Sequence, residues 1–175
     1  MKENDSRILF NPDKLIKQPY PPIVIADGLR TPENVGSIVR LMANFGAEKL
    51  YLLNTEQLKE SKIRKTACMA RNYVKIINIP TSELPNVIPQ DYTLVAIETS
   101  PQSTSIFSTP IPQKTALIVG SEVHGISADV LNLCRLHIHI PMTGPDTSMN
   151  VSHATCIALY EWAKQNAVGS SSIMP

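Results

Sequence analysis

Three short stretches of this chain carry side chains and backbone whose types and spacing could do chemistry. In Asn34-x-Gly36-x-x-x-Arg40, Gly36 and Arg40 are four apart and share one face of a helix. A guanidinium would then lie over a spot where the missing side chain of Gly36 permits close approach. It stays protonated at neutral pH, so it makes a poor general base. The plain alternative is a surface arginine beside a packing glycine. Gly120-x-Glu122-x-x-Gly125 is a glycine-bounded turn with one carboxylate. The longest stretch runs from Ile140-Pro-Met142 to Ser148-Met-Asn150-Val-Ser152. It is rich in turn formers and small polar residues, and its Ser148 and Asn150 also suit helix caps.

These stretches exclude several chemistries. None has the Lys-Ser/Thr of a phosphate loop or the glycine spacing of a dinucleotide fold. None is a Gly-x-Ser-x-Gly hydrolase elbow.

The elements that must position them alternate. Strands are predicted at 23–26, 50–53, 74–79, 93–97, 116–119 and 136–140, the last alternating apolar residues with His137 and His139. Helices are predicted at 34–45, 61–70, 82–88, 127–134 and 151–165, with Gly46 closing the first. Residues 98–115 read as a Ser/Thr/Pro-rich loop. Near-continuous apolar strands alternating with helices mean an α/β fold, a mostly parallel sheet covered by helices on both faces. All three stretches then sit where strands open onto helices, the edge at which such sheets bind ligands.

Composition sets the outer bounds. With 175 residues and 43% hydrophobic content, one self-sufficient domain at 23–166 is expected, after an extension at 1–22 and before a mobile tail at 167–175. No apolar run approaches a membrane span, and no apolar signal segment follows Met1 to Arg7, so a cytoplasmic protein is expected. Three cysteines without ligand-like spacing point to reduced thiols. The net charge of +1 makes no case for nucleic acid at the level of the whole chain.

Taken together and in this order, the three stretches resemble those of the SpoU/TrmH-type RNA 2′-O-methyltransferases of the SPOUT superfamily. The resemblance runs from about Ile23 to Lys164 and includes Phe45-Gly46 and Ala158-Leu-Tyr-Glu161. It implies a C-terminal deep trefoil knot, an exception to the rule that chains do not thread their own loops. It implies S-adenosylmethionine as methyl donor, held by Thr99, Gly120, Ile140, Ser148 and Met149 largely through main-chain groups, with no metal. Arg40 matches the family's catalytic arginine, here read as a clamp on the RNA phosphate beside the target ribose. Asn34 would orient Arg40 or the ribose, Glu122 would hold the arginine or assist proton removal, and Asn150 completes the catalytic set. A homodimer is implied, with Ile157, Tyr160 and Trp162 forming either its interface or core.

The chain departs from the family pattern at Ser121, where Asn is usual, at Met149, where Leu is common, and at His153. His153 could face the core, a partner or the site, and His124 is similarly open. Lys62, Arg64 and Lys65, within a basic segment from Lys59 to Lys75, could grip RNA phosphates or simply form a solvated face. Lys14 and Lys17 could extend that patch. A chain this short leans towards tRNA over rRNA as substrate. The rival readings are a non-catalytic RNA-binding or assembly protein on the same knotted fold, and a small-molecule enzyme on a generic doubly wound sheet.

Overall fold

Strand β1 (Ile23–Asp27) is buried along its whole length, as a strand covered on both faces must be. The structure, a computed structural model, describes residues 18–121, 123–145 and 148–166. Glu122, Lys14, Lys17 and the 167–175 segment lie outside the described residues. The other strands are β2 (Lys49–Leu53), β3 (Lys75–Asn78), β4 (Thr93–Ile97), β5 (Thr104–Ser105), β6 (Thr115–Val119) and β7 (Leu136–His139). They form one sheet in the order β3-β2-β1-β6-β4-β7-β5, and every pairing is parallel.

Alternate residues of each central strand feed two cores. Val24, Leu50, Val95 and Leu117 face one side, where α1 (Pro32–Asn44), α2 (Glu60–Ala67) and α5 (Val151–Asn166) pack. Ile25, Tyr51, Ala96 and Ile118 face the other, against α3 (Leu84–Val87) and α4 (Ala128–Leu131). Pro32 and Glu33 suit the first turn of α1, and Val35, Ile38, Val39 and Met42 form its buried stripe. Each such side chain contributes about 2 kcal/mol by leaving water. Trp162 is fully buried on α5, and its indole N–H donates to the Gln113 carbonyl at 3.1 Å. Gln165 and Asn166 bind the same loop at Thr109 and Ile111, so α5 is fastened to the segment before β6.

Two expectations change, and the alternative at Gly36 is decided. The Ser/Thr/Pro-rich loop contains β5, a two-residue strand that extends the sheet beyond β7. The expected 61–70 helix stops at Ala67, because Cys68 takes a left-handed φ of 53° before a 3-10 turn over Cys68–Asn72. Of the two readings of Gly36, the packing glycine holds. It is buried, and an added Cβ would lie 2.6 Å from the Thr66 Cβ and 2.8 Å from the Ile63 carbonyl oxygen. Its missing side chain admits α2 instead, since four-residue spacing fixes a shared face without saying what approaches it.

The cysteines are all free, and burial pushes the Cys134 thiol up to about 12. Among the described residues no helix is long and apolar enough to cross a membrane.

Candidate active site

A cavity of about 170 Å³ opens at the carboxyl ends of β4, β6 and β7. Thr99, Gly120, Ile140, Ser148 and Met149, each anticipated as a donor contact, all line it. They arrive from three separate loops, so parallel register alone brings them to one edge. Its walls combine apolar Ile97, Val119 and Met149 with the backbone of glycine-rich loops.

The loop after β6 folds back on itself. Ser121 and Gly125 exchange backbone hydrogen bonds at 3.1 and 2.9 Å, and the Ser121 hydroxyl accepts from the His124 N–H. A Cβ on Gly120 would run into the Gly125–Ile126 peptide, so only glycine fits there. Gly125 needs glycine for a second reason as well. Its φ is +64°, and a Cβ would strike the Glu98 carboxylate.

Two residues at this edge were missed by the sequence reading. Glu98 follows β4 and accepts hydrogen bonds from the Thr99 N–H at Oε1 and the Ile126 N–H at Oε2, both at 3.0 Å. It lines the cavity and ties the loop after β4 to the loop after β6. Asp27, at the end of β1, is a buried counterpart. It accepts from the Asn54 amide at 2.7 Å and the Ser127 N–H at 2.8 Å. In both cases an acidic residue ends a buried apolar run, a signal the sequence did contain. His139 also lines the cavity, with Nδ1 3.0 Å from the Ser103 hydroxyl. That hydroxyl already donates to the Ser100 carbonyl at 2.7 Å, so the imidazole must be the donor at Nδ1.

A second cluster lies beside this cavity, where α5 begins. Asn150 caps α5, its Oδ1 accepting from the Ser152 N–H at 2.9 Å and the Ser152 hydroxyl at 2.7 Å. Its Nδ2 donates to Asn34 Oδ1 at 3.2 Å, joining residues 116 apart in sequence. Ser148 takes no part in the cap. Arg40 is exposed further along α1 and makes no hydrogen bond or ion pair to a described residue. His153 is exposed on the first turn of α5, which removes the core-facing alternative, and His124 is exposed too.

The basic residues of α2 are partly engaged. Lys62 pairs with Glu33 at 3.1 Å, and Arg64, joined by Arg71 from the 3-10 turn after α2, reaches Glu60, at 3.0 and 2.9 Å respectively. A backbone hydrogen bond, then Lys62, holds the Glu33 carboxyl below the usual carboxylate range. Lys65 stays exposed beside them. Exposed pairs of this kind are weak and leave the cations accessible. Among the described residues no group of three or more His, Cys, Asp or Glu is placed to hold a metal ion.

An all-parallel α/β sheet with a glycine-looped cavity at its carboxyl edge, and a capped helix bearing polar residues beside it, is the arrangement of an α/β ligand-binding protein. The sequence profile of the SpoU rRNA Methylase family matches residues 21–160, and the chain belongs to that family. The tRNA (guanosine(18)-2′-O)-methyltransferase of Aquifex aeolicus (strain VF5) is 30% identical over 146 residues, covering 82% of this chain and 69% of the relative. The crystal structure of the A. aeolicus TrmH/SpoU tRNA modifying enzyme superposes with a TM-score of 0.76 at 27% identity, over 90% of this chain and 85% of that one. The SpoU methyltransferase AviRb from Streptomyces viridochromogenes, solved with the cofactor AdoMet, shares the fold with a TM-score of 0.75 at 23% identity, over 89% of this chain and 61% of that one. Among other curated relatives the chain spans as little as 10% of the relative's length.

Proposed function

We propose that this chain is an S-adenosylmethionine-dependent RNA methyltransferase acting on a ribose 2′-hydroxyl. The observation that carries the reading is the convergence of Thr99, Gly120, Ile140, Ser148 and Met149 on one cavity beside the Asn34–Asn150 pair. The cavity fits the donor chemically. Its described lining offers apolar walls and loop backbone for a nucleoside, no lysine or arginine side chain to grip a phosphate, and the Glu98 carboxylate suited to a cation.

When bound, S-adenosylmethionine supplies an electrophilic methyl group on a cationic sulfur that leaves as a neutral thioether. Because that leaving group needs no help, the protein's work is positioning and activation of the nucleophile. Arg40 clamps the phosphate next to the target ribose and stabilises charge developing on the 2′-oxygen. Asn34 is held by Asn150 at the start of α5 and orients the ribose or the arginine. Glu122 either accepts the hydroxyl proton or holds Arg40. Lys62, Arg64 and Lys65 on α2 add phosphate contacts, and their accessibility supports that role.

Relatives acting on tRNA and on 23S rRNA are both represented, and the 30% identical A. aeolicus enzyme favours tRNA. We infer that the chain from β7 through α5 is threaded as a deep trefoil knot, a reading supported by the bonds that fasten α5 to residues 109–113. We also infer a homodimer. Met142 at the cavity rim and Tyr160 on α5 are apolar side chains left exposed, 37% and 60% respectively, and a second copy would cover them. Free thiols suit a cytoplasmic location.

Calorimetry with S-adenosylmethionine tests the reading first. Saturable one-site binding is expected, and no detectable heat would reject it in favour of a non-catalytic RNA-binding protein. Mass-spectrometric mapping of 2′-O-methyl nucleotides in cells lacking the protein then identifies the target.

A further inference from the structure

The cavity holds one carboxylate among its described lining, Glu98, and none of the three motif stretches of the sequence includes it. Its two oxygens each accept one backbone N–H, from Thr99 on the loop after β4 and from Ile126 on the loop after β6. The backbone N–H of Glu98 itself is bound to the Ile138 carbonyl on β7, at 2.9 Å. The residue, directly after β4, is therefore bonded both to β7 and to the loop after β6. Gly125, which packs against the carboxylate, has no side chain that could displace it.

Two consequences follow from charge and geometry. A carboxylate spanning two loops fixes their separation, since charge-assisted hydrogen bonds are short and directional. It also leaves net negative charge in the wall of a site with apolar surroundings, where Coulomb interactions are screened less than in water. Methyl transfer changes the charge at sulfur from positive in the donor to neutral in the thioether product. A fixed negative charge in the wall must act unequally on the two.

We propose that Glu98 is a positioning and selectivity residue: it clamps the two loops and biases the cavity towards the cationic donor over the demethylated, neutral product. The inference rests on the methyltransferase reading of the cavity. Product release after each turnover would be eased by the same charge that favours donor entry. Glu98 takes no part in bond making.

Titration calorimetry on the full chain tests this with three ligands: S-adenosylmethionine, S-adenosylhomocysteine and sinefungin, in which a protonated amine stands in place of the sulfonium. In E98Q, affinity for the two cationic ligands should fall about 10-fold more than affinity for S-adenosylhomocysteine, the size expected for one charge at a short, partly screened distance. E98D keeps the charge and shortens the reach, so all three affinities should fall together while their ratios hold. Equal losses for all three ligands in E98Q would show a purely structural clamp and overturn the proposal. Unchanged affinities would overturn it as well. If E98Q fails to fold, judged by its thermal transition, E98D decides: a changed ratio there contradicts the charge argument, and a preserved ratio with a common loss sustains it. Failure of the wild-type chain to bind any of the three would instead reject the methyltransferase reading.

Discussion

On the proposed reading, the donor side and the acceptor side of this site are built by different means. The cavity at the ends of β4, β6 and β7 combines apolar side chains with loop backbone that is held in place by glycines and by the Glu98 carboxylate. The proposed acceptor side would be made of side chains projected from helices: Arg40 and Asn34 on α1, Asn150 at the cap of α5, and the cations of α2. A backbone-built pocket depends on conformations that only certain residues allow. A side-chain-built surface depends on functional groups and tolerates backbone changes that keep the helices in register. The two halves should therefore fail in different ways when mutated.

Substitutions can separate them, starting with the largest effect. Arg40→Lys keeps the charge and loses the planar fork. It is expected to lower kcat/KM for RNA methylation about 100-fold while leaving donor affinity unchanged. Wild-type methylation rates in this variant would remove the clamp from the mechanism. Gly125→Ala and Gly36→Ala test the donor side against a purely structural glycine. Each should lower stability by about 2 kcal/mol in denaturant unfolding, the first through a positive φ and the Glu98 contact, the second by forcing α2 off α1. Only Gly125→Ala should also weaken S-adenosylmethionine binding in calorimetry. Equal binding by both variants would dissolve the distinction.

Asn150→Ala removes the α5 cap and the bond to Asn34, and should cost about 1 kcal/mol of stability. A double-mutant cycle with Asn34→Ala should show coupling of about 0.5 kcal/mol or more if the pair acts as a unit. The smallest effect is expected on α2. Replacing both Lys62 and Lys65 with Gln should weaken RNA binding only several-fold. It should also reduce the slope of log affinity against log salt by about 1 per lost phosphate contact. An unchanged slope would mean that the ion pair with Glu33 describes Lys62 better than any RNA contact.

The helical stripe Val35-Ile38-Val39-Met42 and the strand runs were legible in the sequence, because burial on one or both faces imposes a period that residue types report directly. The cap role of Asn150 was legible as one of two alternatives. β5 was not, since two residues carry no period, and its pairing depends on where β7 happens to lie. Gly36 was legible as a packing glycine among two alternatives, but a glycine in sequence shows that something comes close without naming α2. Glu98 and Asp27 stood at strand ends in plain view, yet their partners lie 28 and 100 residues away.

By itself the sequence determined the alternation of elements, the parallel sheet they imply and the family to which the three polar stretches belong. Those follow from local periodicity and from residue types at fixed spacing. Only the tertiary structure decided which loops share a wall, which carboxylate ties them and which glycine lines the cavity rather than a helix contact. Each of these is a long-range pairing, set by strand order and not by anything a single stretch contains.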